Sequence, residues 1–164
     1  MRAHLTLELR RRDGVVLASR RGHNSVMAGG AQLLGSLFAG TGAAPINRMG
    51  VGVSSAPEPA GFDTAALTPG DLAGATEVPL AADAFIQVPP DSGNRVVRVR
   101  VRGTLPESAA VGTIAEAGLL ARTDDATAVL YNRITFAPVR KADDHELTLF
   151  WEVTFPYGDL HWLP

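Results

Sequence analysis

Residues 95–105 read RVVRVRVRGTL and repeat with a period of two. Val97, Val99 and Val101 fall on one side, and Arg98, Arg100 and Arg102 on the other. That is the pattern of a strand with one face on a core and the other in water, because successive strand side chains point to opposite faces. A helix would scatter both sets around its circumference. The same rhythm appears on either side of this segment. HELTLFWEVTF (145–155) sends Leu147, Leu149, Trp151, Val153 and Phe155 inward, and TIAEAGLLA (113–121) pairs with AVLYNRITF (128–136) across the turn RTDDAT. Upstream, AFIQV (84–88) is a short strand closed by Pro89 and Pro90. At the N-terminus Leu5, Leu7 and Leu9 alternate with Thr6, Glu8 and Arg10. Asp13-Gly14 then turns the chain into VVLAS, which predicts a hairpin over residues 3–21.

One segment keeps a different period. In HNSVMAGGAQLLGSLFAGTG (23–42) the residues Val26, Gly30, Leu33, Leu34, Leu37 and Phe38 share one helical face, which predicts a helix over 25–39. Asn24 or Ser25 can cap its start and Gly40 its end. Gly29, Gly30 and Gly35 each lower helix propensity by up to about 1 kcal/mol, so close approach to a sheet or a neighbouring subunit is their expected benefit. The next segment, INRMGVGVSS, is a strand with Met49, Val51 and Val53 on one side and Gly50 and Gly52 on the other. A smooth glycine face implies that another backbone packs very near. Residues 54–80, rich in Pro, Gly, Ala and Thr, read as a long extended loop. Many short strands and one helix predict a single mainly-β domain over 1–164: an antiparallel β-sandwich with one amphipathic helix packed on it. Tyr157, Leu160 and Trp162 in the tail 156–164 are expected to lie on their own domain or on the next subunit.

Composition narrows the chemistry. The chain has 164 residues, no cysteine and a net charge of -2, so thiol chemistry and a global basic field for nucleic acid are both excluded. The N-terminus has no apolar h-region, and no apolar run reaches the ~20 residues a membrane helix needs. The expectation is synthesis in the cytoplasm without a signal peptide, with no membrane partner. GTGAAP (40–45) departs from GxGxxG and precedes a strand; GSLFAG (35–40) departs from the nucleophile elbow GxSxG. The single lysine, Lys141, follows no phosphate-binding loop. His4, His23, His145 and His161 have no ligand spacing, and Asp124-Asp125 and Asp143-Asp144 are turn formers. No cofactor and no metal are expected.

Three constellations remain. The arginines at 10, 11, 12, 20 and 21 cluster on the hairpin, where Arg11 and Arg12 make either a solvated edge or a docking face for an acidic partner. The stripe Arg98, Arg100 and Arg102 needs neutralising, by carboxylates of a neighbouring strand, by a partner subunit or, as the least favoured choice, by nucleic acid. Glu116 stands alone in an apolar run and shares a face with Ile114, Gly118 and Leu120. A buried carboxylate must be paired, and Arg133 in the partner strand can supply the charge. Without a second polar group in the same cleft, structural pairing is preferred to catalysis.

Several segments also resemble, in order and spacing, bacteriophage tail-associated proteins. They are NSVMAGGAQLLGSLFAG (24–40), INRMGVGVSSAP (46–57), FDTAAL (62–67), and VGTIAEAGLLA with AVLYNRITFAPVRKADDHELTLFWEVTF (111–155). The resemblance spans about residues 23 to 155. It implies a non-enzymatic structural component of a phage tail or tail-like contractile injection particle, such as a baseplate. Such a chain binds copies of itself in a ring or trimer together with other particle proteins, and is incorporated into the particle after synthesis. Glu116 would be the recurrent glutamate of that family, ahead of Gly118, and a determinant of the fold. The hairpin 3–21 and the tail 156–164 are then the expected attachment elements. Two other readings compete. One is a glycan- or receptor-binding β-module of a fibre or adhesin, with Tyr157 and Trp162 exposed. The other is a hydrolase using Glu116 with a second group from the loop 54–80.

Overall fold

Val99, Val101 and Leu105 enter the core through a continuous antiparallel ladder, as their alternation predicts. A computed structural model describes residues 2–123 and 128–158. Its strands are β1 (Arg2–Arg11), β2 (Val16–Val26), β3 (Ile46–Gly52), β4 (Glu77–Pro79), β5 (Phe85–Asp91), β6 (Val96–Leu105), β7 (Gly112–Ala121), β8 (Val129–Lys141) and β9 (His145–Pro156), with one helix, α1 (Ala28–Ala39), and a 3-10 turn at Ala82–Ala84. Across β6, β9 and β1 the inward residues line up in rows: Val101 with Trp151 and Leu5, Gly103 with Leu149 and Leu7, Leu105 with Leu147 and Leu9. All but Gly103 are large apolar side chains buried to 3% exposure or less, and each such burial stabilises by about 1.5–3 kcal/mol.

The fold is mainly β with one helix. Its layers are the two halves of one antiparallel sheet, in the order β4-β3-β7-β8-β2-β1-β9-β6-β5. The halves join at β2, which pairs with β1 along most of its length. It meets β8 only at Ser25↔Arg133 and Val26↔Asn132. From that narrow seam the sheet curls over itself, so that Met49 of β3 reaches Gly103 of β6. A Cβ at Gly103 would lie 2.6 Å from the Met49 sulfur.

The helix begins three residues later than its pattern predicts. Asn24, Ser25 and Val26 stay in β2, because ladder bonds to β1 and β8 take their backbone. Met27 occupies the N-cap with no side-chain bond. Gly40 closes the helix in the left-handed conformation at φ 66°. Only Gly30 and Leu33 are buried; Phe38, expected on the packed face, is 98% exposed. Gly30 carries the close approach: a Cβ there would collide with the Tyr131 carbonyl of β8, whereas Gly35 has open space. Two further differences concern prolines and the loop. Pro89 and Pro90 lie within β5, where the ladder to β6 shifts register between Val88 and Asp91. This edge strand tolerates them because, among the described residues, no strand bonds its other side. The stretch 54–80 contains β4 and an isolated bridge from Ala73 to Val111, so it is fastened at several points. The hairpin strands extend beyond 3–21 to Arg2 and Val26.

Candidate functional site

β7 is apolar from Ile114 to Ala121 apart from Glu116 because both of its faces are covered; every one of these residues is buried. Ala117 and Leu119 face the core. On the other face lie Glu116 and Gly118, opposite Gly52 and Gly50 of β3. The three glycines leave a shallow seat, which Leu67 of the long loop fills. Its methyls would lie 3.0 Å from a Cβ at Gly50 and 3.5 Å from one at Gly118. The close backbone inferred for the glycine face is therefore the chain's own loop: a Cβ at Gly52 would come within 2.6 Å of the Thr68 carbonyl.

This contact brings the loop's polar groups to Glu116. Thr68 N–H donates to Glu116 Oε1 at 2.7 Å, and Ser54 N–H reaches the same oxygen at 3.4 Å. Arg133 of β8, paired with Gly118, donates through Nε to Glu116 Oε2 at 2.5 Å. Its Nη1 donates to Glu58 Oε1 at 2.7 Å and to the Ala56 carbonyl at 3.1 Å. Thr64 Oγ1 donates to the other Glu58 oxygen at 3.2 Å. The Glu116 and Arg133 side chains are only 1% and 4% exposed, and that of Glu58 14%. Burial opposes the Arg133 charge. The bonds to Glu116 and Glu58 outweigh it and hold the guanidinium pKa above its ordinary value. Both Glu116 oxygens accept bonds from the protein, so the geometry makes this carboxylate a fixed anionic tie between β7, β8 and the loop. At the loop's other end Arg122 Nη2 donates to the Glu77 carboxylate at 2.9 and 3.1 Å, and the Asn47 side chain holds the Arg122 backbone.

The residues Glu116, Gly118, Arg133, Gly50 and Gly52 thus meet in one place. Glu58 completes the site, and sequence reasoning passed over it. It stands between Pro57 and Pro59 with no periodic pattern. Its one signal is compositional: residues 54–80 contain four carboxylates and no lysine or arginine to balance them.

The arginine stripe forms a second, wet constellation on the outer face of β6, β9 and β1. Arg100 donates to Glu152 at 2.9 Å; Arg98 reaches Glu152 at 3.5 Å and Asp91 at 3.2 Å. Asp91 is pulled down to about 2, first by the Asn94 side-chain and backbone N–H groups and then by Arg98. Arg102 instead lies over the Phe150 ring, 5.9 Å from its centre. A groove of about 650 Å3 opens here, lined among others by His4, Thr6, Arg100, Arg102, Phe150 and Glu152.

The remaining candidates stand apart. Arg11 pairs with Asp13 in its own turn, and Arg12 is exposed, 3.7 Å from Glu107. Tyr157 is exposed, as expected, and donates its backbone N–H to the Arg95 carbonyl at 2.9 Å. Leu160, His161, Trp162 and the pair Asp124-Asp125 lie outside the described residues, while Asp143 and Asp144 form a turn. Lys141, which no motif explained, is buried with its ammonium donating to the Glu107 carbonyl at 2.7 Å; burial lowers its pKa. Among the described residues no three histidine or carboxylate groups converge to hold a metal ion, and no helix is long and apolar enough to cross a membrane. Compared with family models, curated proteins and solved structures, the chain matches none of them.

Proposed function

We propose that this chain is a non-enzymatic structural component of a symmetric protein assembly, a phage tail or a tail-like contractile injection particle. In it the chain binds copies of itself and other particle proteins. The observation that carries this reading is the apolar surface left in water on two separate projections. Phe38 is 98% exposed at the end of α1, and Val15, Val16 and Leu17 are all exposed at the tip of the β1–β2 hairpin. An isolated exposed apolar side chain is ordinary, but three in succession beside a basic turn, together with an uncovered phenyl ring, suit surfaces that a neighbour completes. Glu116 supports the same reading, since its side chain is 1% exposed beneath the loop and tied to Arg133, with no opening through which a substrate could reach it. The groove beside Phe150 is the observation that favours the alternative, a receptor- or glycan-binding module.

The test is mass photometry of the purified full chain beside Phe38→Ser and Val16→Ser. The reading expects a discrete oligomer that each substitution weakens roughly tenfold, the loss of about 1.4 kcal/mol of burial per contact. A chain that is monomeric at every concentration and indifferent to both substitutions would sink it.

A further inference from the structure

The charges on the outer face of β6, β9, β1 and β2 cancel in some cross-strand rows and not in others. Arg100 faces Glu152, and Arg10 holds Glu8 at 2.6 Å. The row between them runs Arg102, Phe150, Thr6, Arg21. Neither guanidinium of that row has a carboxylate within ion-pair distance among the described residues, and Arg102 has only the phenyl face. Ile86, exposed on the edge strand β5, and Asp83 stand at the rim of the same groove.

The complementary surplus lies on the other half of the sheet. Of the loop's four carboxylates, Glu58 and Glu77 are held by Arg133 and Arg122. Asp63 and Asp71 are exposed and form no ion pair among the described residues. Asp63 follows Phe62, which is exposed and held at φ 49°, a conformation that bulky residues avoid. That turn is pinned on both sides. Phe62 N–H donates to the Pro59 carbonyl at 2.9 Å, and the Ala28 N–H at the start of α1 donates to the Phe62 carbonyl at 2.8 Å. Strain held in place by such bonds marks a segment presented for a purpose. Here it holds an exposed phenyl ring and, at the next residue, an exposed carboxylate.

We infer that the groove around Arg102 and Phe150 receives the Phe62-Asp63 turn of a second copy of this chain. Asp63 meets the guanidinium of Arg102, and the Phe62 ring lies against Phe150 and Ile86. Donor and acceptor surfaces differ, so the contact is head-to-tail and closes as a ring where the rotation permits. The inference rests on the assembly reading and adds one contact to those at Phe38 and the hairpin tip.

The experiment is sedimentation equilibrium of the full chain at low and high salt, with Arg102→Glu, Asp63→Arg and the two combined, and circular dichroism to verify that each variant folds. Wild type self-associates, each single reversal weakens association at least about tenfold, and the combined reversal restores it, since charge partners couple across an interface. Should a reversal unfold, Arg102→Gln and Asp63→Asn carry the same comparison. Self-association that ignores both single variants overturns this inference and leaves the assembly reading standing. A monomer at about 100 µM, far above the dissociation constant of a working interface, overturns both. Arg102-dependent binding of an acidic glycan by a monomer decides for the receptor-binding alternative.

Discussion

Two arginine–glutamate systems sit on the outer faces of the two halves of one sheet, and they differ in what covers them. Arg133, Glu116 and Glu58 lie beneath a loop, with the arginine and Glu116 almost wholly out of solvent. Arg100, Arg98 and Glu152 use the same groups at similar distances, yet Arg100 is 60% exposed. The chemistry is shared; the dielectric is not. In water, two charges gain little by meeting, because solvent already satisfies each of them. Under the loop, removing Glu116 leaves a buried Arg133 with Glu58 as its remaining counter-charge and no solvent to make up the difference. The covered pair therefore holds the architecture together, and the wet pair is available for exchange with another surface.

That contrast can be broken most directly at Glu116. Glu116→Gln keeps the shape and removes one of the two charges facing Arg133; with Glu58 still in place, the loss of stability in urea denaturation is expected at about 2–4 kcal/mol. A loss below about 1 kcal/mol would put it in the class of surface pairs and erase the distinction. Gly52→Ala comes next, at about 1–3 kcal/mol, because the new methyl would displace both the Glu116 carboxylate and Thr68. Limited proteolysis of the variant is expected to cut faster within 54–80, and unchanged cleavage would show that the glycine seat does not hold the loop.

Lys141 sharpens the contrast from a third position, buried but bonded to a carbonyl instead of a carboxylate. Its folded pKa lies below the ordinary 10.5, so between the two values the unfolded chain binds more protons. Stability from this group therefore rises with pH across that window and is lost as pH falls through the folded pKa. Lys141→Met is expected to flatten that rise and to change stability at neutral pH by no more than about 1 kcal/mol; a stability–pH curve of unchanged slope would contradict this. The smallest effect belongs to Arg100→Ala, below about 1 kcal/mol and fading in 1 M salt. A larger, salt-insensitive loss would mean that the wet pair is not wet.

How far the site was legible depends on the distance between its parts. Glu116 announced itself as a carboxylate in an apolar run, and Arg133 lies 17 residues on, in the next strand. Glu58 is 75 residues from Arg133, in a segment with no period, and its arrival depends on Leu67 finding the glycine seat. The helix failed at its start for a related reason. Ser25 and Val26 have no local preference strong enough to resist the ladder bonds of β8. Phe38 kept helical spacing without being buried, because the core contact of α1 is made at Gly30, Leu33 and Leu34 and does not extend to its last turn.

The sequence alone determined that this protein is built mainly of strands with one helix, where the hairpin turns at Asp13-Gly14 and where α1 stops at Gly40. Those outcomes follow from side-chain alternation and left-handed backbone, both local properties of a few residues. Only the tertiary structure decided that the strands form one curled sheet, that the long loop seals Glu116, and that Arg102 and Phe38 remain uncovered. Burial is a relation between distant segments, and no window of neighbouring residues contains it.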